Sequence, residues 1–406
     1  MNVYVGIDWS TKKHDIVFLN EAGAIIACLT IPHQVAGFAQ LERTREQLGV
    51  TASACLVGLE TAHNILIDFL WGHGYEQVYV IPPTVVKGSR GRYGSSGARS
   101  DQRDAQLLAD ILRTDRAQLP RWRPDSFLTR QIRAKVSLIH YLTKQVVRTS
   151  LRLRSVLMRY YPAGLALFGG LTRQITLAFL LEYSRPEAAA GLSYEDFAAF
   201  MAGRGYPYRQ WPKQFARLQR PQPIASAETV DVFAAEMVLL ARQLWDLVRT
   251  NNAQKRALTQ LFKGHPDQGV FASLPGTGDL LAPALLAKFG DDRQRFPHAS
   301  SVQALAGTCP VTDASGKRRW VKFRRACDKE FRHFAQQWAR SSLRKSVFAQ
   351  AYWAQIRPRV GGDSDAYRRL ANRWLAIAWK LWQTRQPYDE AYHLQQRAQR
   401  SQPRLK

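Results

Sequence analysis

Acidic residues and cysteines are the scarce materials of this chain. Only 32 Asp and Glu stand against 58 Lys and Arg in 406 residues, a formal excess of +26. An excess of this size repels itself in a compact state unless an anion is bound, so the expected partner is nucleic acid or, failing that, an anionic membrane surface. Cysteine is limited to Cys28, Cys55, Cys309 and Cys327, with no Cys-x-x-Cys pair. That spacing argues against both a zinc ribbon and a disulfide framework and predicts reduced, mostly buried thiols. Also missing is any apolar run near the roughly 18 residues that span a bilayer. The N-terminal segment from Met1 to Trp9 lacks the charged-then-apolar order of a signal peptide, which predicts a cytoplasmic chain. What is present is 46% hydrophobic residues, ample for two or three domains of about 150 residues each and inconsistent with wholesale disorder.

Apolar and polar positions alternate in Val3–Ile7 and again in Asp15–Leu19, and Asn20 to Gly23 forms a turn before Ala24–Ala27. This pattern predicts a three-stranded antiparallel meander. A helix over 35–48, a buried strand over 54–59, a helix over 65–71 and a strand over 77–81 follow, implying a mixed α/β sheet. The Gly-, Ser- and Arg-rich stretch from Lys87 to Ser100 reads as solvated and mobile, and Ala105, Leu108, Ala109 and Leu112 restore a helix. The first domain is expected to close near residue 135. Leu138, Leu142, Val146, Thr149, Leu153, Val156 and Tyr160 then form a heptad-like stripe, and a second runs from Phe233 through Met237, Leu240 and Leu244 toward Leu261. Two long helices in an antiparallel hairpin, an intermolecular coiled coil and an ordinary bundle all fit this spacing. The segment 162–225 between them has no clear pattern. A Trp-rich basic helical region closes the chain.

Four acids form the sharpest constellation. Asp8 ends the first strand, Glu60 ends the buried strand, and Asp101 and Asp104 share one face at the start of a helix. Singly, each suits a strand-end turn or a favourable charge near a helix N-terminus. Together, carboxylates converging from three elements repel unless neutralised, and hard divalent cations such as magnesium are the usual neutralising partner. Two such ions can clamp the attacking and leaving oxygens of a phosphoryl displacement, and Arg90, Arg92, Arg99 and Arg103 would then have phosphate to bind.

A second cluster lies in the last third. Residues 313–345 carry 11 basic and 3 acidic side chains, and Lys317, Arg318, Arg319, Lys322, Arg324 and Arg325 make a phosphate-binding surface. Ser315 sits on a turn beside them. A serine hydroxyl attacks phosphorus only when a base or metal deprotonates it and holds it in line, and this segment supplies neither; an ordinary type I turn is the competing reading. Gly276 and Gly278 in Leu274 to Asp279 can offer backbone N–H groups to a phosphate, or simply start a helix. Trp320, Phe323, Phe331, Phe334, Trp338, Tyr352 and Trp353 interleave with the cations as stacking platforms or as core.

These motifs, in this order, resemble the insertion-sequence 110 family of DEDD transposases, to which pilin gene-inverting recombinases also belong. The residues that carry the resemblance are Asp8 in Val5 to Ser10, Glu60 in Gly58 to Thr61, Asp101 and Asp104, the Leu274 to Gly278 turn, and Ala306 to Pro310 leading to Ser315-Gly316. The likeness covers almost the whole chain except 162–225, which looks like an insertion. It implies a RuvC-like ribonuclease H fold over 1–135, a helical coiled-coil region over 136–265 and a mainly helical transposase domain over 266–406. It further implies that Asp8, Glu60, Asp101 and Asp104 hold magnesium and that Ser315 forms a covalent phosphoserine link to cleaved DNA, beside a metal site from another protomer of a dimer to tetramer. A non-coding bridge RNA that pairs with donor and target DNA is implied as the guide. Cys327-Asp328 replaces the Gly-Asn found in many members. Three other readings remain at this point: a RuvC-like nuclease using water, an actin-like sugar kinase suggested by Gly6 to Lys13, and a catalytically silent nucleic-acid scaffold.

Overall fold

A computed structural model describes residues 2–61, 65–93, 100–119, 121–223, 225–316 and 318–401. The chain divides into two compact units, Met1–Asp125 and Ser126–Lys406. The division falls ten residues before the expected boundary at 135, because Ser126 caps a helix that runs unbroken to Tyr160. The regions expected as second and third domains lie together in the second unit.

In the first unit, β1 (Val3–Trp9), β2 (Lys13–Leu19) and β3 (Ile25–Pro32) form the expected meander. Gly23 has φ +88°, and the Asn20 side chain accepts from the Ala24 N–H, closing the second turn. α1 (Val35–Gln47), β4 (Cys55–Leu59), α2 (Ile65–Gly72) and β5 (Gln77–Val80) follow. Next come α3 (Pro83–Ser89), α4 (Asp101–Asp115) and the short β6 (Arg121–Trp122). The six-stranded order is β3-β2-β1-β4-β5-β6, with β1, β4 and β5 parallel and the other pairings antiparallel. The start of the stretch read as a loop is in fact helical: α3 extends to Ser89, with Pro83 fixing its first turn.

The period-2 alternation divides the sheet cleanly. Val3, Val5, Ile7, Val57 and Leu59 pack with Leu41, Leu66 and Leu70 on one side, and Val17 and Leu19 pack with Ala105 and Ala109 of α4 on the other. Gly6 and Gly58 are register partners on the α4 side. A Cβ on Gly6 would lie 1.9 Å from the Ala105 carbonyl oxygen and 2.6 Å from the Ala109 nitrogen; one on Gly58 would lie 3.1 Å from the Leu108 carbonyl oxygen. The helix backbone therefore rests directly on the strands.

Among its described residues the second unit has one β ribbon and is otherwise built from helices and their connections. α5 (Phe127–Tyr160) and α11 (Ala227–Lys263) pack antiparallel, with Lys135 bonded to Gln254 and Arg152 to Glu236. This resolves the hairpin alternative as an intrachain pair. The first stripe is out of phase at its start: Ile139 is buried, whereas Leu138 is 40% exposed. The segment 162–225 is a helical cap on one end of the pair, formed by α6 (Pro162–Ala166), α7 (Gln174–Glu182), α8 (Pro186–Ala190), α9 (Tyr194–Ala202) and α10 (Trp211–Leu218). Phe168, Phe179, Phe197 and Phe200 fill its core with Leu153, Met237 and Leu244.

The other end of the pair packs on α12 (Gln268–Ala272), α13 (Gly278–Phe289), α14 (Ala299–Leu305), α15 (Lys329–Ser342), α16 (Val347–Ile356), α17 (Asp363–Thr384) and α18 (Glu390–Ser401). Trp338, Trp374 and Trp382 are fully buried there. β7 (Val311–Ser315) and β8 (Arg318–Lys322) form the antiparallel ribbon. Among the described residues no helix is long and apolar enough to cross a membrane. All four cysteines are free, but only Cys55 is buried; Cys28 is exposed and Cys309 and Cys327 are half-buried, which corrects the expectation of mostly buried thiols. Position 28 lies on β3, whose burial is incomplete along most of its length.

The close approach at Gly6 gives a direct test. Gly6→Ala is expected to destabilise the protein by more than about 3 kcal/mol, whereas Gly72→Ala, where a Cβ meets open space, should be close to neutral. Equal urea-unfolding midpoints for the two variants would show that α4 does not press on the sheet.

Candidate active site

The same alternation that puts Gly6 under α4 puts Asp8 under the start of α4, two residues further along β1. Glu60 follows Gly58 by the same step, just past the end of β4, and the Trp9 indole donates to Thr61 Oγ1 at 2.7 Å, joining the two strand ends. Ser100 caps α4 by accepting from the Arg103 N–H, so Asp101 and Asp104 occupy the first turn. The four acids are thus carried to one end of the sheet. Sequence reasoning missed a fifth: Asp15 is the register partner of Asp8, is buried, and accepts from Thr30 Oγ1 at 2.5 Å. The signal was the first hairpin, whose Trp9–His14 pairing sets Asp8 opposite Asp15.

Two of the arginines expected to bind phosphate are ion-paired with acids of α4. Arg90 pairs with Asp104 at 3.1 Å, and Arg92 pairs with Asp115 at 2.8 Å and donates to Thr114. Arg103 is exposed; Arg99 and Lys317 lie outside the described residues. In the second unit Gly276 has a packing role, since a Cβ there would stand 2.6–2.8 Å from the backbone of Ser341 and Ser342; Gly278 faces open space at the start of α13. Ser315 ends β7 directly opposite Arg318, and Gly316 follows with φ +57°. Every described residue of the ribbon is exposed, Arg318, Arg319 and Lys322 included. Arg325 is exposed and Arg324 half-buried. Phe331, Phe334 and Trp338 are core, whereas Trp320 and Phe323 are each 50% exposed.

Electrostatics separates the units. Residues 1–125 carry 13 basic and 13 acidic side chains, and residues 126–406 carry 45 basic and 19 acidic, so the entire excess belongs to the second unit. Within the neutral unit the acids form a local negative field. Burial, then Asp104, Asp101, Glu60 and Asp15 in turn, push the Asp8 carboxyl up to about 6. Lys13 bridges Asp101 at 2.9 Å and Asp15 at 3.2 Å, and those hydrogen bonds hold its ammonium above the ordinary lysine range. Among the described residues no three His, Cys, Asp or Glu side chains stand close enough to ligate one ion. The acids share a field here, with Lys13 and Arg90 as its counter-charges.

Because the folded-state value of Asp8 lies above the unfolded one, protonation favours the fold as pH falls from 6 toward 4, and the cost of burying the carboxylate, with the repulsion of its acidic neighbours, acts in full above 6. Asp8→Asn should therefore stabilise the protein by about 1–2 kcal/mol at pH 8 in chelator, allowing for partial exposure, and the gain should vanish near pH 4. Thermal melts across this range check it; a gain independent of pH would rule out the Asp8 charge as the cause.

Comparison with known proteins places both regions. Residues 5–162 match the family model for DEDD transposases of IS110, described as Transposase. Residues 268–354 match the Transposase IS116/IS110/IS902 family. The chain is 31% identical over 398 residues, 96% of each chain, to the mini-circle putative transposase for IS117 of Streptomyces coelicolor. It is 24% identical over 388 residues to a 44.8 kDa protein of insertion element IS116 from Streptomyces clavuligerus, covering 93% of this chain and 94% of that one. A 42 kDa protein of IS900 from Mycobacterium paratuberculosis is 24% identical over 80% of this chain and 82% of its own. One matched region carries the acids and the other the serine ribbon, and the likeness to the IS117 protein is nearly end to end: the chain belongs to the IS110 family of insertion-sequence transposases, enzymes that cut and join DNA.

Proposed function

We propose that this transposase cuts DNA with the Ser315 hydroxyl, forming a covalent phosphoserine intermediate, and that Asp8, Glu60, Asp101 and Asp104 hold magnesium for the reaction. The observation that carries the reading is the placement of Ser315: an exposed hydroxyl at the end of a cationic ribbon, with no packing role to account for it. In the step, a bond forms between Ser315 Oγ and phosphorus, the bond from phosphorus to one deoxyribose oxygen breaks, and the hydroxyl proton passes to the released oxygen. One phosphate ester replaces another, so the reverse reaction rejoins DNA without an energy source.

By donor type the set suits a hard divalent cation, since all four side chains offer carboxylate oxygen and Asp8 is destabilised as an anion without one; to ligate a single ion they would have to draw closer together than they stand here. Such an ion, when bound, stabilises charge on phosphate oxygens and lowers the pKa of an attacking hydroxyl. Asp15, tied to Thr30 and Lys13, deepens the same field from β2. Lys13 and Arg90 would turn from the acids to the incoming phosphate. An antiparallel meander continuing into parallel strands, with a helix carrying acids on one face, supports a RuvC-like ribonuclease H reading of the first unit. The proposal includes a non-coding bridge RNA pairing with donor and target DNA and a homo-oligomer of dimer to tetramer. Their support is the resemblance together with the large positive excess of the second unit.

The test uses magnesium, DNA carrying element ends and target, and RNA transcribed from the native flanks. Wild type should give a protein–DNA adduct on a denaturing gel, and Ser315→Ala should lose it by roughly 10³-fold or more while still binding DNA. Asp8→Ala should lose cleavage as well. Nicking that needs Asp8 but not Ser315 would instead identify a nuclease using water.

A further inference from the structure

The ribbon has two faces, and its register assigns the residues to them. Cross-strand partners point the same way and alternate along each strand. Ser315 with Arg318, Asp313 with Trp320, and Val311 with Lys322 therefore share one face, while Ala314 with Arg319 and Thr312 with Val321 share the other. Side-chain contacts agree: Lys322 Nζ lies 2.8 Å from Asp313 Oδ2 and 5.9 Å from the Trp320 ring centroid. The two adjacent arginines are thus not equivalent. Arg318 stands beside the serine, and Arg319 stands behind it.

We propose that the Ser315 face is a DNA clamp, in which Arg318 binds a non-bridging oxygen of the phosphate that Ser315 attacks and Trp320 stacks on a base unstacked beside the break. The inference rests on Ser315 being the nucleophile. A guanidinium presents a planar fork of donors suited to two phosphate oxygens, and at this position it meets the charge that grows as the Oγ–P bond forms and the deoxyribose P–O bond breaks. Trp320, on the neighbouring same-face pair and half exposed, offers a flat apolar surface to solvent, with Lys322 Nζ 5.9 Å from its ring centroid. Lys322 neutralises Asp313, the single carboxylate on this face, so that it does not repel the strand. Phe323, just beyond β8, lies under Arg332 at 4.4 Å and Arg368 at 5.6 Å, which anchors the base of the ribbon. Arg319 on the opposite face adds affinity for DNA in general and is not used in cleavage.

The test compares Ser315→Ala, Arg318→Ala, Arg319→Ala and Trp320→Ala in the full chain, on DNA cut at its mapped site. With DNA saturating, Arg318→Ala should slow adduct formation on the order of 100-fold, while Arg319→Ala should act mainly on binding, lowering the slope of log affinity against log salt by about one. Replacing a non-bridging oxygen of the scissile phosphate by methyl removes the charge that Arg318 meets. On that DNA, wild type should fall to the level of Arg318→Ala, which itself should lose nothing further. Trp320→Ala should weaken binding roughly ten-fold on intact DNA and not at all where the neighbouring base has been removed. If the adduct depends on Ser315 but Arg318→Ala and Arg319→Ala behave alike, or the Arg318→Ala defect persists on the neutral phosphate, the clamp is wrong and the nucleophile stands. Persistence of the adduct in Ser315→Ala overturns the nucleophile, and the clamp with it.

Discussion

Helix α4 lies on two parallel strands at the points where neither has a side chain, and the acidic site depends on that contact. Gly6 and Gly58 are opposite one another in the register, and the Ala105 carbonyl and Ala109 nitrogen occupy the space where a Cβ on Gly6 would be. With any larger residue the helix would stand off the sheet. Asp101 and Asp104, one turn before Ala105 and Ala109, would then lose their place above Asp8 and Glu60. The arrangement also loads the site with like charge, which the fold tolerates through Lys13 and Arg90. A close-packed small-residue seam thus holds together groups that electrostatics would separate.

Much of this was legible from residue spacing. The alternation of β1 and the apolar run of β4 place Asp8 and Glu60 at strand ends, and the three-residue spacing puts Asp101 and Asp104 on one face at the start of α4. Asp15 was not legible in the same way, because its role depends on pairing across a hairpin rather than on spacing along one element. The ion pairs of Arg90 and Arg92 with α4 are not legible either, because their partners are distant in sequence and meet them only when α3 and the turn after it fold back. The slip from Leu138 to Ile139 has a similar origin, since both positions are apolar and only the partner helix decides which one is buried. The helices of 162–225 bury their aromatics against α5 and α11, so their local sequence carries a weak signal.

Charge is divided as sharply as structure. The unit bearing the acids has no net charge, and the unit bearing the ribbon has all of it. Attraction to a polyanion is thus the work of the second unit, and it is strongly screened by salt. A unit with no net charge does not repel DNA at long range, even though the local field of its acids opposes a phosphate brought close to them. Attraction to DNA can therefore be tuned by the surface arginines of one unit without touching the acids of the other.

The ribbon that presents Ser315 has every described residue exposed, and an isolated two-stranded ribbon is marginally stable in water. If Ser315 is the nucleophile proposed above, its hydroxyl would be held in line only while a nucleic-acid strand lies across the ribbon, so reactivity would be gated by occupancy rather than stored in the free enzyme. On that proposal the ribbon would act as a safety catch, cocked by the DNA itself.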